Sequence, residues 1–345
     1  MPTRLTCAAL AMLALSACTG RAFIHDWNER YVEAARAHDQ GRLDDAEAHY
    51  VQLLKHAPNE ETKRLARWRM ARLTEQRGKV DEARRSYRAL YGSEPADEHG
   101  AQAMFRDIEL TFEADGDFDT ALKMCRELIA RYATYLPAEY CVEELERYHR
   151  TQEDLPALAR ELDALAAAQA DTELGDFLLY RLGTLYADEL DRPDEAVATF
   201  DRLYALDPAG PLYDDALWFA AQVRVGQERW QDALSYYQRL LDAREESWWV
   251  GSYDSEWVDD ARFERGRIYF ERLEDFDRAA AEFAAYVDEF DGNLDQDDAA
   301  WWRVHALKRG GRDWRRAARE LIERFPESRF APRAKRMLDG EEVAL

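Results

Sequence analysis

Residues 182–208 read LGTLYADELDRPDEAVATFDRLYALDP. Ala196 follows two acids, Asp194 and Glu195; Phe200 comes four residues later, and Leu203 three after that. Spacings of four and three put the small and the large residues on one helix face. Pro208 ends the stretch. Clear copies of this opening are Asp44-Asp45-Ala46, Asp81-Glu82-Ala83 and Gln231-Asp232-Ala233. Looser ones centre on Ala121, Ala157, Ala279 and Ala317. The large residue four positions on is Tyr50, Tyr87, Cys125, Phe200, Tyr237, Phe283 or Leu321. Successive markers lie 37, 38, 36, 39, 37, 46 and 38 residues apart. A near-constant period of this size signals stacked helical hairpins, none of which can bury its apolar face alone.

The pattern resembles the tetratricopeptide repeat. The first-helix motif of that family is reproduced by Leu182-Gly183-Thr184-Leu185-Tyr186, and more weakly by Gly266 and Tyr269. The resemblance covers residues 26–340 and implies an all-α fold, a right-handed superhelical solenoid of about eight hairpins. A last helix is expected over Pro332 to Leu338, with a short tail at 341–345. The turn Phe325-Pro326-Glu327-Ser328-Arg329-Phe330-Ala331 is similar to that of periplasmic members. Those include lipoproteins of outer-membrane β-barrel assembly and coordinators of the Tol–Pal system.

The N-terminus reads as an address. Arg4 precedes an apolar run, Leu5 to Leu15, too short to span a bilayer. Leu15-Ser16-Ala17-Cys18 resembles the bacterial lipobox. That likeness implies a signal peptide over 1–17, acylation (palmitate) of Cys18, and a short tether to residue 25. Acyl chains bury methylenes at ~0.8 kcal/mol each, so the membrane anchor is stable. Thr19 in place of Asp points to the outer membrane. The seven residues Thr19 to His25 reach at most roughly 25 Å, holding the solenoid near the membrane.

Composition narrows the function. Among 345 residues, 70 are Asp or Glu and 47 are Lys or Arg, a net charge of −23. Such a surface repels nucleic-acid backbones and anionic lipid. It either steers a basic partner or is a solvated surface that reflects adaptation to salt or a bias of genomic composition. No phosphate-binding loop, HExxH or GxSxG occurs, so catalytic residues, cofactor and metal are all expected to be absent. Asp291 to Asp298 begins like a calcium loop, but lacks Gly at its sixth position and has Trp302 where Glu is needed. Asp115-Gly116-Asp117-Phe118-Asp119 is acidic but falls in a hairpin turn.

Two sets of aromatics are candidate partner-binding residues. Tyr31, Trp68, Tyr180, Trp218, Phe263 and Trp302 each precede a marker by 15 or 16 residues, straddling a core position and a groove position. Trp248, Trp249, Tyr253 and Trp257 occupy the surplus of the 46-residue interval, either as an interface or packed back on the helices. Cys125 and Cys141 are a candidate disulfide in an oxidising compartment; the alternative is two small buried hydrophobes.

The expectation is a non-enzymatic adaptor on the periplasmic face of the outer membrane, binding a protein of an envelope machine for β-barrel assembly, secretion, pilus or motility. An envelope hydrolase or its activator, and a self-assembling structural protein, are the alternatives.

Overall fold

Seven hairpins, each within one unit, turn through one residue in the left-handed region: Gly41, Gly78, Gly116, Asp191, Glu228, Glu274 and Gly311. Glu153 holds the same conformation between the helices Pro137–Thr151 and Leu155–Ala168. In the seven hairpins that conformation reverses the chain within a few residues and sets two helices antiparallel. The computed structural model describes residues 26–206, 211–243, 257–290 and 292–343. The expected leader, Cys18 with its tether, and Trp248, Trp249 and Tyr253 lie outside the described residues.

The described residues are helical, with no strands among them. Two units divide the chain, meeting between Asp154 and Leu155. The first holds α1 (26–39), α2 (Leu43–Lys55), α3 (Glu60–Gln76), α4 (Val80–Tyr91), α5 (Glu98–Leu110), α6 (Phe118–Arg131) and α7 (Pro137–Thr151). The second holds α8 (Leu155–Ala168), α9 (Glu173–Thr184), α10 (Pro193–Leu206), α11 (Tyr213–Gly226) and α12 (Trp230–Asp242). It continues with α13 (Val258–Glu271), α14 (Phe276–Glu289), α15 (Gln296–Arg309), α16 (Trp314–Arg324) and α17 (Ala331–Leu338). One π-turn extends α5 over Thr111–Asp115, and another extends α9 over Leu185–Glu189. Within each unit successive helices pack on one another, and α3, α5 and α7 also touch in sequence. That is the stacking the period demands.

Local chemistry starts several helices. Asn59 and Thr62 form a reciprocal capping box on α3, while Asp97, Asp117 and Thr172 accept from the backbone of α5, α6 and α9. Each satisfies an amide that the helix leaves unpaired.

The fourth residue of every second helix is buried, and in seven of them it is Ala: Ala46, Ala83, Ala121, Ala196, Ala233, Ala279 and Ala317. In α8 it is Leu158, and Ala157 beside it is only half-buried. The fourth repeat is therefore centred one residue later than its nearest Ala indicates. Glu153, five residues before Leu158, fixes that register.

The first-helix Gly explains itself in contacts. A Cβ on Gly183 would lie 2.5 Å from Phe200 Cε1, and one on Gly266 2.7 Å from Phe283 Cε1. Neither distance is tolerable between carbons, so the large ring and the missing side chain are one packing decision. Buried Ala34, Ala71 and Ala221 take the same first-helix place, three residues after Tyr31, Trp68 and Trp218, ahead of buried Tyr50, Tyr87 and Tyr237. Where the first-helix residue is larger, the second-helix one shrinks: Ile108 precedes Cys125, and His305 precedes Leu321. The second unit ends with α17, whose Ala331, Ala334 and Met337 are buried, while Phe330 stacks on Trp301 at 5.3 Å.

Candidate functional site

All six aromatics of the first-helix series are half-buried. One side of the ring meets the large residue of the next helix: Trp68 lies 6.3 Å from Tyr87, Trp218 5.5 Å from Tyr237, and Phe263 5.4 Å from Phe283. Each of the six residues keeps part of its surface accessible. The choice between core and groove is thus divided within each side chain. In the first unit, cations cover the rings. Arg72 sits 5.2 Å over Trp68, while Arg69 sits 5.7 Å over Tyr31 and donates to its hydroxyl. Trp68 Nε1 has no hydrogen-bond partner among the described residues.

In the second unit the series is joined ring to ring. Trp302 stacks on Phe283 at 5.6 Å and meets Phe270 edge-on at 5.3 Å. Trp257, the described member of the tryptophan-rich stretch, stacks on Trp218 at 5.0 Å and donates from Nε1 to Asp215. That tryptophan folds back on the helices, the packing alternative of its sequence reading.

Beneath the first unit's ring series lies a charged layer that sequence reasoning missed. Asp107 is fully buried and accepts from Arg84, Arg88 and Tyr91 at 2.7, 3.0 and 2.9 Å. Arg64, 2% exposed, grips Asp97 through both oxygens and also reaches Ser93 and the Leu90 carbonyl. Arg106 holds Glu75, which also accepts from the Tyr87 hydroxyl at 2.6 Å. Burial works against the Glu75 charge, but Arg106 and Tyr87 keep its carboxyl below the ordinary range. Burial and that same carboxylate push the Tyr87 hydroxyl well up. Each partner satisfies the other, so these clusters tie neighbouring hairpins together.

Cys125 and Cys141 are brought together as free thiols, both fully buried. Burial, then the hydrogen bond with Cys125, pushes the Cys141 thiol well up. In the calcium-like segment, whose Asp291 lies outside the described residues, two side-chain amides are engaged. Asn293 binds Asp259, and Gln296 binds the Val287 carbonyl and the Gly292 amide. No group of three or more His, Cys, Asp and Glu residues converges among the described residues. No helix there is long and apolar enough to cross a membrane.

Comparison with known proteins agrees with the hairpins. A tetratricopeptide repeat-like domain model matches residues 29–93, and a tetratricopeptide repeat model matches 180–248 and 220–293. No curated protein matches the sequence. Among solved structures, the C-terminal part of a repeat protein from Cytophaga hutchinsonii is 14% identical, with 78% of this chain and 98% of that chain covered and a TM-score of 0.43. BtubC from P. vanneervenii is 15% identical, covering 70% and 95%, with a TM-score of 0.42. PilW, a type IV pilus biogenesis factor, is 16% identical, covering 68% and 97%, with a TM-score of 0.37. At such TM-scores these likenesses add nothing to the repeats seen directly. Repeats of this type form protein-binding scaffolds, and this chain carries tetratricopeptide-type repeats in both of its units.

Proposed function

We propose that the chain is a non-enzymatic adaptor, held by acylated Cys18 on the periplasmic face of the outer membrane, that binds a protein of an envelope machine. The observation that carries the binding part is the register of the half-buried aromatics. The same position on six first helices places a large, rigid ring partly in contact with solvent. Such rings are common interface anchors, because they bring contact area at little entropic cost. The lipobox Leu15 to Cys18 supports the address.

Two measurements test this reading. Cys18→Ser should release the chain from the membrane fraction or block its processing; unchanged attachment and processing would refute the anchor. Wild-type chain, affinity-purified from detergent-solubilised membranes, should carry a partner in stoichiometric amount. Purified chain that degrades peptidoglycan without any such partner would favour the hydrolase reading instead.

A further inference from the structure

The chain holds four cysteines: Cys7 and Cys18 in the expected leader and anchor, and Cys125 and Cys141 in the repeats. The two in the repeats lie within hydrogen-bonding contact of each other. Cys125 is on α6 and Cys141 on α7, the last helix of the first unit, and these helices pack together. Both side chains are 0% exposed, and Leu122, Leu128, Val142 and Leu145 of the same helices are buried as well.

The corresponding joints of the second unit are made of rings. Phe200 of α10 stacks on Phe219 of α11 at 6.1 Å, and Phe283 of α14 stacks on Trp302 of α15 at 5.6 Å. Cys125 stands where Phe200 and Phe283 stand, four residues after the buried residue that opens a second helix. It is the smallest side chain at that place in the second helices. A second helix thus meets the next helix through two sulfurs where other joints use aromatic area. A contact between two thiols is weak, because S–H is a poor donor and sulfur a poor acceptor.

We infer that Cys125 and Cys141 close into a disulfide that locks α6 to α7. Each thiol gives up its proton and an S–S bond forms between them. The two electrons pass to the disulfide of a thiol–disulfide oxidoreductase or of oxidised glutathione, which leaves as two thiols. The bond closes a loop over residues 126–140 and removes their freedom from the unfolded chain. It forms while the chain is still packing. Once folded, burial holds the Cys141 thiol above its ordinary range, and exchange needs a thiolate. The inference rests on the envelope address for its oxidising compartment.

The test uses the full chain in two preparations. One is taken from the membrane fraction. The other is reduced, unfolded and refolded in a mixture of oxidised and reduced glutathione. Each is then unfolded with a thiol-alkylating reagent, without reductant, and digested with trypsin. The peptides 124–126 and 132–147 should appear joined in both preparations and separate after reduction. Alkylated cysteine in both peptides of both preparations overturns the inference, and so does either cysteine joined to any other. A joined pair on refolding with alkylated thiols in the membrane fraction supports the bond and counts against the oxidising address instead. A second measurement checks the placement. Dithiothreitol should open the bond at least about tenfold more slowly in the folded chain than in denaturant, because the sulfurs are buried. Equal rates would overturn a bond sealed inside this joint.

Discussion

The two units solve the same stacking problem with different chemistry. The first sets ion pairs and hydrogen bonds between its hairpins, centred on Asp107, Arg64 and Glu75. The second sets rings there, running from Trp257 on Trp218 to Trp302 on Phe283 and Trp301 on Phe330. It keeps some charge, since Arg265 is 8% exposed and bonds to Glu282 and Gln238. The difference matters because buried ion pairs fail when one partner is removed, whereas aromatic contacts weaken by degrees. The first unit should be brittle to single polar substitutions, the second to changes in volume.

The largest expected effect breaks the first unit's charged layer. Asp107→Ala leaves three donors without their acceptor and should destabilise by about 3–5 kcal/mol. Hydrogen exchange should show the loss in α4 and α5, with α13 to α16 unaffected. Equal loss of protection in both sets of helices would remove the distinction between the units.

Acid should separate the units next. Burial first, then Lys308, Arg333 and Arg309, pushes His305 down to about 4 from 6.5. Above the unfolded value both states hold a neutral imidazole, so pH has no effect there. Between it and the folded value the unfolded chain takes up a proton that the folded chain refuses. Stability therefore falls as pH falls through that window, by ~3 kcal/mol in total. Glu75 and Asp97 in the first unit have folded values below their ordinary 4.5 and 3.8, so their contributions are lost only as pH falls further. Exchange in α15 should rise before exchange in α3 and α5, and His305→Gln should abolish the early phase. An early phase that survives this substitution would assign it elsewhere.

A volume change sharpens the comparison from the second unit. Gly183→Ala drives a methyl into Phe200 and should cost about 2 kcal/mol. Adding Phe200→Leu should recover part of that loss, and strict additivity of the two changes in a denaturant titration would show that they do not touch. The smallest effect lies in the turns. Glu228 holds φ of 57° where each of the first unit's three hairpin turns carries Gly. Glu228→Gly should stabilise by about 0.5 kcal/mol, since a side chain is disfavoured in that region more than glycine's extra freedom costs. An unchanged or lower denaturation midpoint would contradict this.

Much of the fold was legible because repetition amplifies a weak signal. Ala46, Ala83, Ala196 and Ala233 stood out through their acidic openings, and Gly183 through its motif. The fourth repeat was placed one residue off because Leu158 stands where the rule expects a small residue, and a turn at Glu153 carries no glycine to betray it. The division at Asp154 leaves no mark in composition. The buried layer was invisible for a different reason. Asp107, Arg64 and Glu75 look like the solvated charges that fill helices of this composition, and only their partners distinguish them. The aromatic series was found, but a helix position half in the core and half in solvent has no distinct sequence signature.

A protein bound by the half-buried first-helix aromatics should depend on their rings. Trp218→Leu combined with Trp302→Leu keeps an apolar body at each site but removes the accessible part of the ring. The decisive measurement is quantitative co-purification of the wild-type and double-variant chains from solubilised membranes, with the melting temperature of each recorded alongside. Wild type should carry a stoichiometric partner, and a variant that is still folded should lose at least about tenfold of it. An identical set of partners at identical stoichiometry on the folded variant would contradict it.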